Sequence, residues 1–204
     1  MKVTGTKLDT DLNWLKIFRS TFEHNGHTGE WLFVSRKKKQ TKAEKNKADA
    51  VVIVPFICDN EGKVTQILLT KEFRVPINDH EIGFPAGLLD PGEAPFEAAC
   101  RELLEETGYL VLEHMLTSPP IISSAGMSDE SVQLVFVEAR RKRSAQPEKT
   151  EDIQIVPMNV DEVEELLFSK KKIGAKAWPI LFTMTLIGIH GFHRMIKRVW
   201  ADKA

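Results

Sequence analysis

The chain has 204 residues, 42% hydrophobic and 28% charged, which allows one substantial core, or one domain with a small appendage. Its 28 Lys and Arg nearly cancel 29 Asp and Glu, which excludes a global field for nucleic acid or an anionic membrane and confines any polyanion binding to a local site. The first residues lack the apolar core of a signal peptide and the apolar run 178–189 is too short to span a bilayer, so a soluble cytoplasmic protein is expected.

Strand-like pieces at residues 15–18 and 31–34 flank a polar turn with Gly26 and Gly29 and predict a small antiparallel unit. A lysine-rich run at 36–49 follows, whose like charges favour a solvated loop over a phosphate contact. The β-branched run from Ala50 to Cys58 has no polar alternation and predicts a strand buried on both faces. Residues 59–62 turn the chain, and 64–73 return as the second strand of a hairpin. Residues 82–87, punctuated by Gly and Pro, predict a strand end or bulge that exposes backbone groups. Further strands are expected at 110–115, 131–139 and 152–158, and helices at 160–168 and 180–199. Strands interrupted by few helices indicate a mixed α/β sandwich. Cys58 and Cys100 sit in apolar patterns without a Cys-x-x-Cys and are expected as buried thiols.

The most informative segment is residues 95–107. Its apolar residues Phe96, Ala99, Cys100, Leu103 and Leu104 follow the spacing of one buried helical stripe. Pro95 suits the first turn, and Gly108 suits the left-handed position after the last. Glu102, Glu105 and Glu106 fall three and four residues apart and converge on one side. Arg101 is in reach of Glu97 and Glu105, leaving Glu102 and Glu106 without a basic partner on the helix. A solvated acidic face and a site for a hard divalent cation are the two readings of that pattern; Mg²⁺ suits carboxylate oxygens and phosphate.

The wider pattern decides between them. Gly87, five residues, Glu93, seven residues, then Arg101-Glu102-Leu103-Leu104-Glu105-Glu106-Thr107-Gly108-Tyr109 resembles the Nudix hydrolase box at every specified position. The resemblance implies an α/β/α sandwich with a mixed sheet, here residues 48–204, preceded by a small N-terminal β unit at 1–47 that includes the lysine-rich loop. It implies an Mg²⁺- or Mn²⁺-dependent hydrolase of nucleoside diphosphate derivatives. Glu102, Glu105, Glu106 and the Ala86 carbonyl match metal ligands, while Gly87, Glu93, Arg101 and Gly108 match residues that brace the box.

Residues 71–76 and 84–93 resemble the ADP-ribose pyrophosphatase subgroup, which implies cleavage of ADP-ribose to AMP and ribose 5-phosphate, in a homodimer. In that subgroup the arginine matching Arg74 contacts substrate; a surface salt bridge is the alternative. Trp31 is the candidate for stacking on the base, a core Trp the alternative. The catalytic base is sought among Glu148, Glu151 and Asp152, with Glu151 favoured. Two positions depart from the subgroup. Gly83 stands where Glu is common, with Glu81 two residues back as its substitute, and Ala125 stands where a proline is common. Other diphosphate sugars, such as GDP-mannose or UDP-glucose, therefore stay open, as does a nucleotide-binding protein without catalysis. The C-terminal segment 178–200 reads either as a helix packed on the sandwich or a dimer interface, or as an interfacial amphipathic helix.

Overall fold

A computed structural model describes residues 2–38, 47–147 and 149–201. Most of the lysine-rich run and Glu148 lie outside the described residues. The chain forms two compact units, Met1–Ala50 with Pro119–Gln133, and Val51–Ser118 with Leu134–Ala204.

The first unit contains a three-stranded antiparallel sheet of β1 (Lys2–Asp11), β2 (Lys16–His24) and β3 (His27–Ser35). β1 lies beyond the two strand pieces legible in the sequence. Asn25 and Gly26 form the two-residue turn between His24 and His27, both with positive φ (51° and 77°). That is the geometry an Asn-Gly hairpin prefers. Gly29, expected in the turn, instead lies within β3 opposite Phe22. Phe18 and Phe33 stack across the sheet at 5.6 Å. Lys37 and Asp49 form a buried ion pair at 2.6 Å, and Asp49 also accepts the Ser131 amide at 2.9 Å.

The second unit is built on a mixed sheet. β4 (Ala50–Cys58) and β5 (Val64–Arg74) form the expected hairpin, and Val51, Val52, Ile53 and Val54 are all buried, as a two-sided strand requires. At the turn, Asp59 Oδ1 accepts the amides of Glu61 and Lys63. A single 3₁₀ turn (Val75–Ile77) leads to β6 (Asp79–Gly83), then β7 (Ala86–Leu88), α1 (Pro95–Glu102), β8 (Tyr109–Thr117), β9 (Ile121–Ile122), whose residues belong to the first unit, and β10 (Ser131–Arg141). β11 (Ile153–Asn159), α2 (Val163–Leu167), β12 (Lys172–Ile173), α3 (Ala177–Ile187) and α4 (Ile189–Ala201) complete the chain. The strand order is β12-β6-β5-β4-β10-β8, with β11 on β5 and β7 on β4. β12 runs parallel to β6, while β5 is antiparallel to β4, β6 and β11.

α1 packs on β7 and β8 and closes a core of Val51, Ile53, Leu68, Ala98, Ala99, Leu103, Tyr109, Val135 and Val137. Leu103 is fully buried, which contributes about 2 kcal/mol of transfer free energy.

Several expectations change. The predicted helix at 95–107 is α-helical only to Glu102; Leu103–Thr107 form a π-helical turn. Ala98 is buried with Ala99 and Leu103, while Phe96, Cys100 and Leu104 are half-buried. Cys58 and Cys100, expected buried, are both partly exposed. The helix expected at 160–168 splits into a 3₁₀ turn (Val160–Glu162) and α2. The helix expected at 180–199 breaks at Gly188, which has φ 73°, into α3 and α4. Ala177, Leu181, Met184, Ile189, Phe192 and Ile196 are buried, and α4 packs on β5 and β8, so the C-terminal segment rests on the sheet. No described helix is long and apolar enough to cross a membrane.

Candidate active site

The site is assembled in the second unit by the pairings of β5 and by the approach of β7 to the box helix. β5 pairs with β6 so that Glu72 faces Glu81, and with β11 so that Glu72 faces Ile153. The Phe73 amide donates to the Asp152 carbonyl at 3.0 Å, which ties the 151–152 segment to the end of β5. From the other side, β7 meets the C-terminal half of the box helix: the Ala86 amide donates to Glu106 Oε2 at 3.3 Å.

Two glycines allow close approaches at the box. A Cβ built on Gly87 would fall 2.0 Å from Glu102 Cδ, so any larger residue collides with the carboxylate. Gly108 takes φ 75° after the π turn, and a Cβ there would meet the Arg143 carbonyl at 2.2 Å. Thr107 Oγ1 donates to the Leu103 carbonyl at 2.5 Å and accepts the Tyr109 amide at 3.2 Å, closing the turn from within. π turns widen a helix by one residue and recur at functional sites.

Arg101 is the brace. Nε and Nη2 donate to Glu93 at 2.9 and 2.8 Å, Nη1 donates to Glu102 at 2.8 Å and Glu105 at 3.5 Å, and Nη2 reaches the Leu88 carbonyl at 3.1 Å. Glu102 therefore has a basic partner, contrary to the expectation from helical spacing. The reason is that Arg101 turns to Glu93 and the adjacent Glu102, while Glu97 instead accepts the Ala94 amide at 3.1 Å. The Arg101 guanidinium beside Glu93 holds that carboxyl below the usual range.

The three box glutamates differ in environment. Glu105 is exposed, Glu102 half-buried, and Glu106 only 6% exposed. Burial, then the charges of Glu102, Glu72 and Glu151, push Glu106 up to about 8 against the opposing Ala86 hydrogen bond. Burial also raises Glu102, with Arg101 opposing. No described salt bridge reaches Glu106. A buried carboxylate surrounded by carboxylates, in an all-oxygen donor set, fits a hard divalent cation.

Arg74 Nη1 donates to Glu72 at 2.5 Å and Nε to Glu81 at 3.2 Å. Glu81 thus reaches Arg74 from the β6 position two residues before Gly83. Glu72 was missed in the sequence, although it lies two residues before Arg74 and so on the same strand face. Burial raises it, against the pull of Arg74. Asp152 is engaged with His80 at 3.3 Å, whereas Glu151 is exposed and contributes to the field at Glu72, Glu102 and Glu106. In the first unit, Trp31 is 53% exposed and lines a cleft of ≈ 340 Å³ with Val3, Phe22, Phe33, Ala125 and Asp129, so it is not a core Trp.

The family model of the NUDIX domain matches residues 47–181. The chain belongs to the Nudix hydrolase family. It is 32% identical over 163 residues to "Putative nudix hydrolase 2" of Caenorhabditis elegans, covering 79% of this chain and 69% of that protein. It is 34% identical over 136 residues to the "ADP-sugar pyrophosphatase" of Mus musculus and over 133 residues to the "ADP-ribose pyrophosphatase" of Saccharomyces cerevisiae. Those matches cover 66% and 65% of this Nudix chain but span only 60% and 55% of the two relatives. A crystal structure described as "ADP compounds hydrolase" superposes with TM-score 0.67 over 92% of this chain and 95% of its own, at 19% identity, which establishes a shared fold. The mixed sheet with helices and the separate small antiparallel sheet are therefore those of a Nudix α/β protein.

Proposed function

We propose that this Nudix protein hydrolyses the diphosphate bond of nucleoside diphosphate derivatives with Mg²⁺, and that ADP-ribose, cleaved to AMP and ribose 5-phosphate, is its preferred substrate. The observation that carries the reading is the buried Glu106 carboxylate, set against the Ala86 amide and within the field of Glu102, Glu72 and Glu151. The name of the yeast relative supports the choice of ADP-ribose, and that of the mouse relative an ADP-sugar.

In this reading Glu102, Glu105, Glu106 and the Ala86 carbonyl hold Mg²⁺, with Mn²⁺ as an alternative. When bound, the cation neutralises diphosphate charge and acidifies water. Glu151 accepts the proton of the attacking water, whose oxygen bonds to phosphorus as the bond to the bridging oxygen breaks and the other phosphate leaves. Arg74, oriented by Glu72 and Glu81, stabilises charge on the phosphate oxygens. Gly87, Glu93, Arg101 and Gly108 fix the carboxylates in place, and Trp31 stacks on the base. The protein acts in the cytoplasm as a homodimer, without nucleic-acid or membrane partners.

A panel of ADP-ribose, other ADP-sugars, GDP-mannose and UDP-glucose, assayed with Mg²⁺ and with products identified, tests this directly. AMP and ribose 5-phosphate from the best substrate are expected. Preference for GDP-mannose or UDP-glucose, the reading left open by Gly83 and Ala125, overturns the substrate assignment. Absence of turnover on every diphosphate overturns catalysis.

A further inference from the structure

Outside the carboxylate site, the second unit brings together three side chains with no part in the reaction proposed above. Cys58 ends β4, Glu138 lies in β10 and His193 lies in α4. The Cys58 Sγ, a Glu138 carboxylate oxygen and a His193 ring nitrogen all lie within 4.8 Å of one another. His193 is buried and bonded to Glu138 at 2.9 Å between Nε2 and Oε1, and the Phe56 ring meets the imidazole edge-on at 5.1 Å. Lys197 adjoins the cluster: its Nζ lies 2.5 Å from Glu138 Oε1 and 2.9 Å from Glu113 Oε2. The His193 and Lys197 contacts to Glu138 both fall on Oε1, and among the described residues no hydrogen bond reaches its Oε2.

A thiolate, an imidazole and a carboxylate are the donor set of a zinc site with three protein ligands and an open fourth position. Mg²⁺ does not use sulfur, so this chemistry is distinct from that of the box. Zinc-to-donor bonds of about 2.0–2.3 Å place tetrahedral donors about 3.3–3.6 Å apart. Reaching that spacing requires the His193–Glu138 hydrogen bond to open slightly and the Cys58 thiol to close by at most about 1.2 Å. Lys197 can release Glu138 and keep Glu113.

We propose that Cys58, His193 and Glu138 form a second, Zn²⁺-class metal site, and that Lys197 is the cation that occupies Glu138 when the metal is absent. Binding forms the sulfur, nitrogen and oxygen bonds to the ion, moves the His193 ring proton from Nε2 to Nδ1, releases the thiol proton to solvent and leaves the Lys197 ammonium on Glu113.

The test uses the full chain in excess Mg²⁺, titrated with Co²⁺ while the near-ultraviolet thiolate-to-cobalt band is followed, then challenged with Zn²⁺. One equivalent of Co²⁺ should develop the band and Zn²⁺ should abolish it. Cobalt held by carboxylates alone gives no such band. Cys58→Ser should eliminate it, Cys100→Ser should keep it, and His193→Gln should weaken binding by at least about 10-fold. Lys197→Gln, which removes the competing cation, should tighten binding by about 10-fold. Cys58 is only half-buried at a strand end, so the Cys58→Ser variant is expected to fold, with its thermal melt as the control. No band, or a band that survives Cys58→Ser, overturns the site. Unchanged or weaker binding in Lys197→Gln overturns the role of Lys197.

Discussion

Gly87 occupies the space that the Glu102 carboxylate needs: a Cβ at this position would fall 2.0 Å from Glu102 Cδ and 2.0 Å from its Oε1. The first glycine of the box is therefore a clearance for the Glu102 side chain, and its conformational freedom is secondary. Gly87→Ala should displace Glu102 by about 1 Å or more, a misplacement that costs about 100-fold in turnover. Crowding costs about 1–3 kcal/mol of stability. Steady-state kinetics and a thermal melt check both; near-normal turnover in a folded Gly87→Ala variant contradicts this account.

Glu106 should show opposite effects on activity and on metal-free stability. Removing an outer-shell partner of a metal costs about 10–100-fold, so replacing the proposed ligand with an isosteric amide in Glu106→Gln should cost at least about 100-fold in turnover. The same change removes a buried carboxylate from the field of three others, so the melting temperature in EDTA should equal or exceed that of the unmodified protein. A lower melting temperature in EDTA would indicate that the charge is satisfied without metal.

Arg101 cannot be replaced by lysine without loss. Its planar fork meets Glu93 through two nitrogens while a third reaches Glu102, an arrangement a single ammonium cannot reproduce. Arg101→Lys should lower stability by about 1–3 kcal/mol, which for a chain of this size is about 2–4 °C per kcal/mol. Differential scanning calorimetry reads this shift, and the accompanying fall in turnover reports the looser Glu102.

His114 supplies a pH dependence outside the box carboxylates. It stacks on Phe96 with ring centroids 4.2 Å apart, and burial lowers its pKa. The unfolded chain titrates this residue near about 6.5, so below that pH the unfolded state binds the extra proton first. Its contribution to stability is complete above that value and is lost as pH falls through the lowered folded pKa. Histidine NMR should give a His114 midpoint below about 6.5, and His114→Phe should reduce the loss of stability on acidification. A midpoint at or above the unfolded value contradicts the sign.

Much of the site was legible before folding because the box is local. Glu93, Arg101, Glu102, Glu105 and Glu106 lie on one turn and one helix, where fixed spacing sets which side chains converge. Helical spacing also misled where the helix is not α: it pointed Arg101 at Glu97, and it gave no sign of the π turn at Leu103–Thr107. Glu72 was hidden for another reason. Its neighbours Glu81 and Glu151 come from other segments, and only the register of β5 against β6 and β11 sets them side by side.

By itself, the sequence determined the family pattern, the β4–β5 hairpin and the identity of the carboxylates, because each depends on periodicity or spacing within about two dozen residues. Tertiary structure decided which of those carboxylates is buried, which strand brings Glu72 and Glu151 into the field of Glu106, and that Cys58, Glu138 and His193 meet at all. Burial and charge proximity arise from segments far apart in the chain, so no local pattern encodes them.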